Sequence, residues 1–466
     1  METSATTAGR NGPAQNPLGW ERIPTLLRRF AVPSIIAMLV SSLYNVVDQV
    51  FIGQGVGYLG NAATNVAFPL STICLAIALL VGVGSASTFS LEQGRGNKQE
   101  AAACVGLAVD MSAIFGILYL ILVQALLDPL LAAFGSTPAV FPLAKSYVRI
   151  TAFGMPLLIF TNSFSALIRA DGSPNYSMAC MVAGAVLNTI LDPIFIFALH
   201  LGVAGAALAT VISQAVSFAF ALRYIWRFKQ VKLNSAAFRP HIAKSVKILS
   251  LGLSNSLTQV AVSLVQIVIN NLLARYGAHT IYGSDIPLSA FGIVMKANSL
   301  FIAVFVGLSQ GSQPIIGFNY GAGRCSRVKR VYKLAVSCSI AVGVMATFLF
   351  QLFPAHLVAL FGTGNELYME FAVKFVRRFL FMTVINGVQI ISSNFFAAIG
   401  KPLKGALLAL SRQSFFIIPL AVILPLFWGI DGIMFAGPIS DAAAFLIGIL
   451  MVRAEFRRLS AAEQEG

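Results

Sequence analysis

Charge is what this 466-residue chain has least of: Asp, Glu, Lys and Arg together make up 11%, against 57% apolar residues. Soluble domains carry roughly a quarter charged residues, so a soluble globular protein is excluded. Histidine is nearly absent, and His200, His241, His279 and His356 fall in the gaps between apolar runs or at their ends. Neither a histidine metal cluster nor a buried catalytic histidine is evident. The five cysteines are odd in number, scattered, and mostly inside apolar runs, which excludes a disulfide scaffold and leaves them as packing residues. No glycine-rich loop with a lysine is present, so ATP hydrolysis is not expected. Gly307-Leu-Ser309-Gln-Gly311 fits a hydrolase pattern but lies at the end of an apolar helix, with no base nearby in sequence.

What the chain does have is long apolar runs. A helix must run about 20 residues to cross the hydrocarbon, and twelve such runs are present. The first six are 30–52, 66–88, 103–127, 147–168, 176–199 and 204–226. The last six are 249–273, 287–308, 331–353, 371–397, 405–426 and 430–453. Period-two alternation is absent, so a barrel is out, and helices alone satisfy every backbone group in lipid. The expected fold is an all-α integral membrane protein. Its parts are an N-terminal tail 1–29, a first lobe 30–226, a basic linker 227–248, a second lobe 249–453 and a C-terminal tail 454–466.

The net charge of +15 lies in the short gaps, which argues against a nucleic-acid surface. Gaps on the side of the N-terminus, with adjoining helix ends, hold 25 Lys and Arg; the others hold 6, and Lys296 lies within helix 8. Both termini and both tails are therefore expected in the cytoplasm.

The chain also repeats itself. Gly94-Arg-Gly96 matches Gly321-Ala-Gly323, and Phe134-Gly-Ser136 matches Phe361-Gly-Thr363. Gly202, Gly205, Ala209, Ser213 and Phe218 match Gly429, Gly432, Ala436, Ser440 and Phe445. All lie at an offset of 227, for example 429 − 202. Ala170-Asp-Gly-Ser-Pro174 matches Ala398-Ile-Gly-Lys-Pro402 at 228. A six-helix unit inserts twice in the same orientation, giving two parallel bundles with a cleft between them, an arrangement suited to alternating access.

Carboxylates inside such bundles are costly and usually face a cavity or a partner. Asp48 lies roughly 6 Å from the outer end of helix 1, Asp192 about 10 Å from that of helix 5, and Thr210 about 9 Å into helix 6. Asn188 shares a helix face with Asp192. Two carboxylates, an amide and a hydroxyl then share one layer, a set of oxygens suited to Na⁺ or, as a carboxylate pair, to a proton. Asp110, Gln266, Lys296, Asn386, Gln389 and Asp441 are candidates for the cleft wall. No bound cofactor is called for beyond a coupling ion.

Taken together, these residues resemble the MATE multidrug and toxin extrusion transporters, a bacterial branch in particular. The likeness rests on Pro33 with Tyr44-Asn-Val-Val-Asp48-Gln-Val-Phe-Ile-Gly53, on Leu191-Asp-Pro193, and on Gly202-Val-Ala-Gly-Ala-Ala-Leu-Ala-Thr210. Further on come Gln310-Gly-Ser-Gln-Pro314-Ile-Ile-Gly-Phe-Asn-Tyr-Gly321 and Gly429-Ile-Asp-Gly432. The resemblance implies export of lipophilic, often cationic, small organic compounds across the inner or plasma membrane, driven by H⁺ or Na⁺. It implies a cation site at Asp48, Asn188, Asp192 and Thr210, with Asn162 as a further polar position and Pro33 as a bend in helix 1. Helices 7 and 10 lack the acids of another family branch. A monomer is expected, with the bilayer as its only large partner. The alternative is a flippase of related fold for lipid-linked saccharides or polyprenyl carriers; its cleft would need several cations for pyrophosphate, and Lys296 alone is meagre.

Overall fold

Because nothing in hydrocarbon can pair an open backbone group, the chain has to solve its hydrogen bonding within each segment. A computed structural model describes residues 16–361 and 366–465, and among them there is no strand. Spans 1 to 6 are Ile23–Gly55, Leu59–Gly94, Lys98–Ala125, Phe141–Ala170, Pro174–Ala198 and Gly202–Ile225. Spans 7, 8, 9, 11 and 12 are Ile242–Gly277, Asp285–Gly321, Cys325–Leu352, Pro402–Trp428 and Ile430–Ala461. Span 10 is a pair of helices, Glu366–Phe379 and Thr383–Ala398, bent by 50°.

That break corrects the expectation of one continuous tenth helix. Its counterpart in the first lobe is the 3₁₀ turn Ala152–Gly154 inside span 4, at the offset of 228. The lobes match in hydrogen bonding too: Gln124 Nε2 donates to the Arg149 carbonyl, and Gln351 Nε2 to the Arg377 carbonyl, each at 2.8 Å.

The tails differ from expectation as well. Residues 16–29 are ordered: Pro17–Trp20 forms a short helix, and span 1 already begins at Ile23. Leu26 and Leu27 explain the earlier start, since both are buried. Asn319 Nδ2 donates to the Leu18 carbonyl at 2.9 Å, and Arg327 Nη2 to the Glu21 carbonyl at 2.8 Å, so the second lobe holds this segment. The C-terminal helix continues to Glu465, although residues 454–466 read as a tail. Glu455, wholly buried, ion-pairs with Lys401, just before span 11, and with Lys404 in its first turn. A helix leaving the hydrocarbon keeps its form where polar side chains find partners. These contacts also put both ends of the described part of the chain on one face, called here the termini face.

The linker is anchored by Asp171, a wholly buried acid in the turn between spans 4 and 5. It accepts from Tyr224 Oη at 2.7 Å, Lys229 N at 2.8 Å and Gln230 N at 2.9 Å. Replacing it with asparagine leaves fewer acceptor sites for three donors, and a buried unpaired donor costs about 1–3 kcal/mol. Asp171→Asn is therefore expected to lower the thermal unfolding midpoint of the detergent-solubilised protein by several degrees; an unchanged midpoint would remove this anchor from the account.

Across the molecule, glycines set how closely the two lobes approach. A Cβ on Gly252 would lie 1.8 Å from the Leu80 carbonyl oxygen, and one on Gly84 would lie 2.0 Å from that of Ile248. Gly307 and Gly311 receive the backbone of Ile35 and Ala31 in the same way. Small residues let helix backbones touch, which is how membrane helices gain packing energy without a hydrophobic drive. Gln313 adds a polar fastener, donating to Ser87 Oγ at 2.8 Å. Nearest the termini face, a Cβ on Gly94 would meet the Phe318 carbonyl oxygen at 2.1 Å, and one on Gly321 would meet that of Leu91 at 2.2 Å. Gly94 and Gly321 are repeat-related and touch each other, so the pseudo-twofold axis passes between them.

Candidate cation site in the first lobe

The site lies toward the opposite face. Asp48 is seven residues before the end of span 1, Asp192 six before the end of span 5, and Thr210 eight into span 6. At 1.5 Å per residue these depths are about 10, 9 and 12 Å, one layer.

Three local features build it. Pro193 follows Asp192 and withholds a backbone donor, and the chain responds with the wide π turn Ile194–Ala198. That turn packs on span 1 at Gly55, where a Cβ would meet the Ile196 side chain at 2.1 Å. Ile52, Ile196 and Ala206, all buried, pack together where span 1 meets the π turn and span 6.

Within the layer, the Asp48 and Asp192 carboxyls are within hydrogen-bonding reach of each other. Asp192 is wholly buried and Asn188 nearly so, and Asn188 Nδ2 donates to Asp192 Oδ1 at 3.2 Å. Tyr147 lies beside Thr210, and both Tyr147 and Tyr44 are close enough to feel the two acids. Three buried acceptors have no partner: Asp48 Oδ1, Asn188 Oδ1 and Asp192 Oδ2. Two adjacent carboxylates in low dielectric cannot both stay charged without a counterion. A proton shared by the pair satisfies that requirement, and so does a small cation held by the three orphaned oxygens with a tyrosine or threonine hydroxyl.

The structure thus brings together Asp48, Asn188, Asp192 and Thr210. Asn162 lies elsewhere. It is fifteen residues beyond Tyr147 in span 4, about 22 Å of helical rise, and its Nδ2 donates to its own helix at the Leu158 carbonyl. It lines a small separate cavity with Arg169, Met38 and Gln310. Pro33 is buried inside a helix that runs unbroken from Ile23 to Val56.

Two of the six candidate cleft residues have partners within the second lobe. Asp441 is buried and ion-paired with Arg412 inside the second lobe. Gln389 Nε2 donates to the Leu408 carbonyl at 3.1 Å, tying span 10 to span 11. Asn386 is buried, Gln266 and Asp110 are half-buried, and Lys296 is exposed. None of the six is brought to the carboxylate pair. Ser309 of the hydrolase-like pattern is wholly buried within span 8 and accepts from Asn394 Nδ2 at 2.6 Å.

Sequence reasoning missed Tyr44 and Tyr147. Tyr44 was findable, being four residues before Asp48 and hence on the same helix face. Tyr147 had no such signal, since its approach depends on how span 4 leans on span 6.

Comparison with known proteins agrees with this architecture. The MatE family model matches residues 33–194 and again 255–423, one stretch in each lobe. The multidrug export protein MepA of Staphylococcus aureus (strain MSSA476) is 24% identical over 91% of this chain and 92% of its own length. A crystal structure of MATE in complex with MaL6 superposes with a TM-score of 0.90 at 25% identity, covering 97% of this chain and all of that one. An outward-facing multidrug resistance MATE family transporter of the MOP superfamily superposes at 0.88 and 25%, covering 98% and 99%. With matches spanning both lobes, the chain belongs to the MatE family of multi-pass membrane transporters, which are not enzymes.

Proposed function

We propose that this protein exports lipophilic, often cationic, organic compounds across the plasma membrane in exchange for inward H⁺ or Na⁺. One observation carries the coupling: two touching carboxyls and an amide in the first lobe, with three unpartnered oxygens among them. Similarity to multidrug exporters supplies the substrate class. The termini face is read as cytoplasmic, because Lys and Arg concentrate in the gaps on that side. The sealed glycine contacts then close the cleft toward the cytoplasm, and the cation site sits in the outer half, where an external ion reaches it first. One chain holds both lobes and the cleft, so a monomer suffices.

Ion entry is the driving step. One charge moving through about 100 mV releases roughly 2.3 kcal/mol, enough to hold a fifty-fold gradient of substrate per cation. Proteoliposomes carrying a fluorescent cationic dye test the reading when pH and Na⁺ gradients are imposed separately. Dye movement against its own gradient under one of them is expected. No uphill movement under either would reject antiport.

A further inference from the structure

We propose that a lipid-facing groove between spans 10 and 12 of the second lobe is a binding site for one anionic phospholipid. The groove has a volume of about 410 Å³ and is lined by Arg377, Arg378, Phe381, Met382, Phe435, Pro438, Ile439 and Ala442. Phe381 and Ile439 are 52% and 40% exposed, so the groove opens to the surface that meets acyl chains. It stands apart from the cation site and from the coupling reading above.

Its two ends differ in chemistry. At one end, Arg378 pairs with Asp431 at 2.7 Å and lies over the Phe435 ring, 5.3 Å from its centroid. Lys374 pairs with the same carboxylate at 2.9 Å, so two cations share one anion. Arg377 is exposed, and among the described residues its guanidinium has no ion pair. The cluster therefore carries net positive charge where span 12 begins, at the level of the headgroups on the face opposite the termini. Towards the other end the lining is apolar. Pro438, Ile439 and Ala442 lie seven to eleven residues beyond Asp431, about 10–16 Å along span 12. That length suits an acyl chain. A phosphate lodged at the arginines accepts charge-assisted hydrogen bonds while its tail follows the groove.

The internal repeat shows that this charge is particular to the second lobe. At the offset of 228, Lys374 and Arg378 take the places of Ser146 and Ile150, and at 227 Asp431 takes that of Ala204. Only Arg377 has a basic counterpart, Arg149. The common scaffold folds without those three charges, so their presence beside an apolar groove points to a ligand with an anionic head and an apolar tail. A polar cleft substrate would not need the tail, and a free phosphate would not need the groove.

Native mass spectrometry of the full-length protein tests this, with phosphatidylglycerol and phosphatidylcholine supplied at equal concentration in detergent. One phosphatidylglycerol retained in preference to phosphatidylcholine is expected. Arg377→Gln, which breaks no ion pair, should weaken that retention about fivefold, the effect of one basic residue near a lipid phosphate. Ala442→Phe, which fills the groove while leaving every cation in place, should reduce retention at least as much. Glycerol phosphate without acyl chains should fail to displace the lipid. Equal retention of the two lipids, undiminished retention in both variants, or displacement by glycerol phosphate would each overturn the proposal.

Discussion

Asp192→Asn is expected to abolish uphill export, collapsing a dye gradient of roughly fifty-fold at about 100 mV toward unity. The reason is local. Asp192 is wholly buried, meets Asp48, and accepts from Asn188. An amide there keeps the shape but removes the charge that makes one proton or cation necessary. The remaining carboxylate of Asp48 can then hydrogen-bond to the new amide and needs no exchangeable ion. Asp48→Asn should have the same effect from the other side of the pair. The measurement is dye accumulation in energised vesicles beside downhill dye exchange with no gradient, which monitors the cleft alone. Loss of the uphill signal with downhill exchange retained is the expected pattern. Full uphill transport by both variants would remove the carboxylate pair from the coupling mechanism.

Gly94→Ala and Gly321→Ala are expected to open the termini face. Each added methyl meets a backbone carbonyl of the opposite lobe, at 2.1 and 2.2 Å respectively, and a backbone atom cannot swing aside as a side chain can. Overpacking of this kind costs about 1–3 kcal/mol, and about 2 kcal/mol shifts a two-state equilibrium some thirty-fold. The lobes can avoid the cost by separating at that face, the rocking that alternating access requires. Ser90 offers a probe: it is wholly buried, and a Cβ on Gly317 would lie 2.9 Å from its own Cβ across the lobe boundary. In a background with exposed Cys338 removed, Ser90→Cys should react with a water-soluble maleimide at least tenfold faster when either glycine is alanine. Unchanged labelling in both double variants would show that this contact does not hold the closed state.

How much of this was legible beforehand differs by element. The spans were visible because a low-dielectric solvent permits one solution, and apolar length announces it. Their ends were less so. Residues 23–29 and 454–465 are helical outside the apolar runs, held by Arg327 to the Glu21 carbonyl and by Lys401 and Lys404 to Glu455. Those partners lie far away in sequence. The carboxylate layer was predictable from counting residues back from helix ends, because depth is additive along a helix. Asn162 came from the resemblance and not from that count; its amide hydrogen-bonds its own helix, away from the carboxylate layer.

Asp441 shows the limit most plainly. A lone acid in mid-span reads as functional, yet Arg412, counted among the charges of a gap, reaches it inside the lobe. Which long side chain folds inward is a matter of packing. The sequence by itself determined the helical class, the number of spans, the duplication and the depth of the scarce acids, because each follows from one-dimensional quantities such as hydropathy, offset and rise per residue. Only the tertiary structure decided which polar groups meet, where the lobes touch backbone to backbone, and where span 10 breaks. Those depend on the lateral order and tilt of helices, which no periodicity along the chain records.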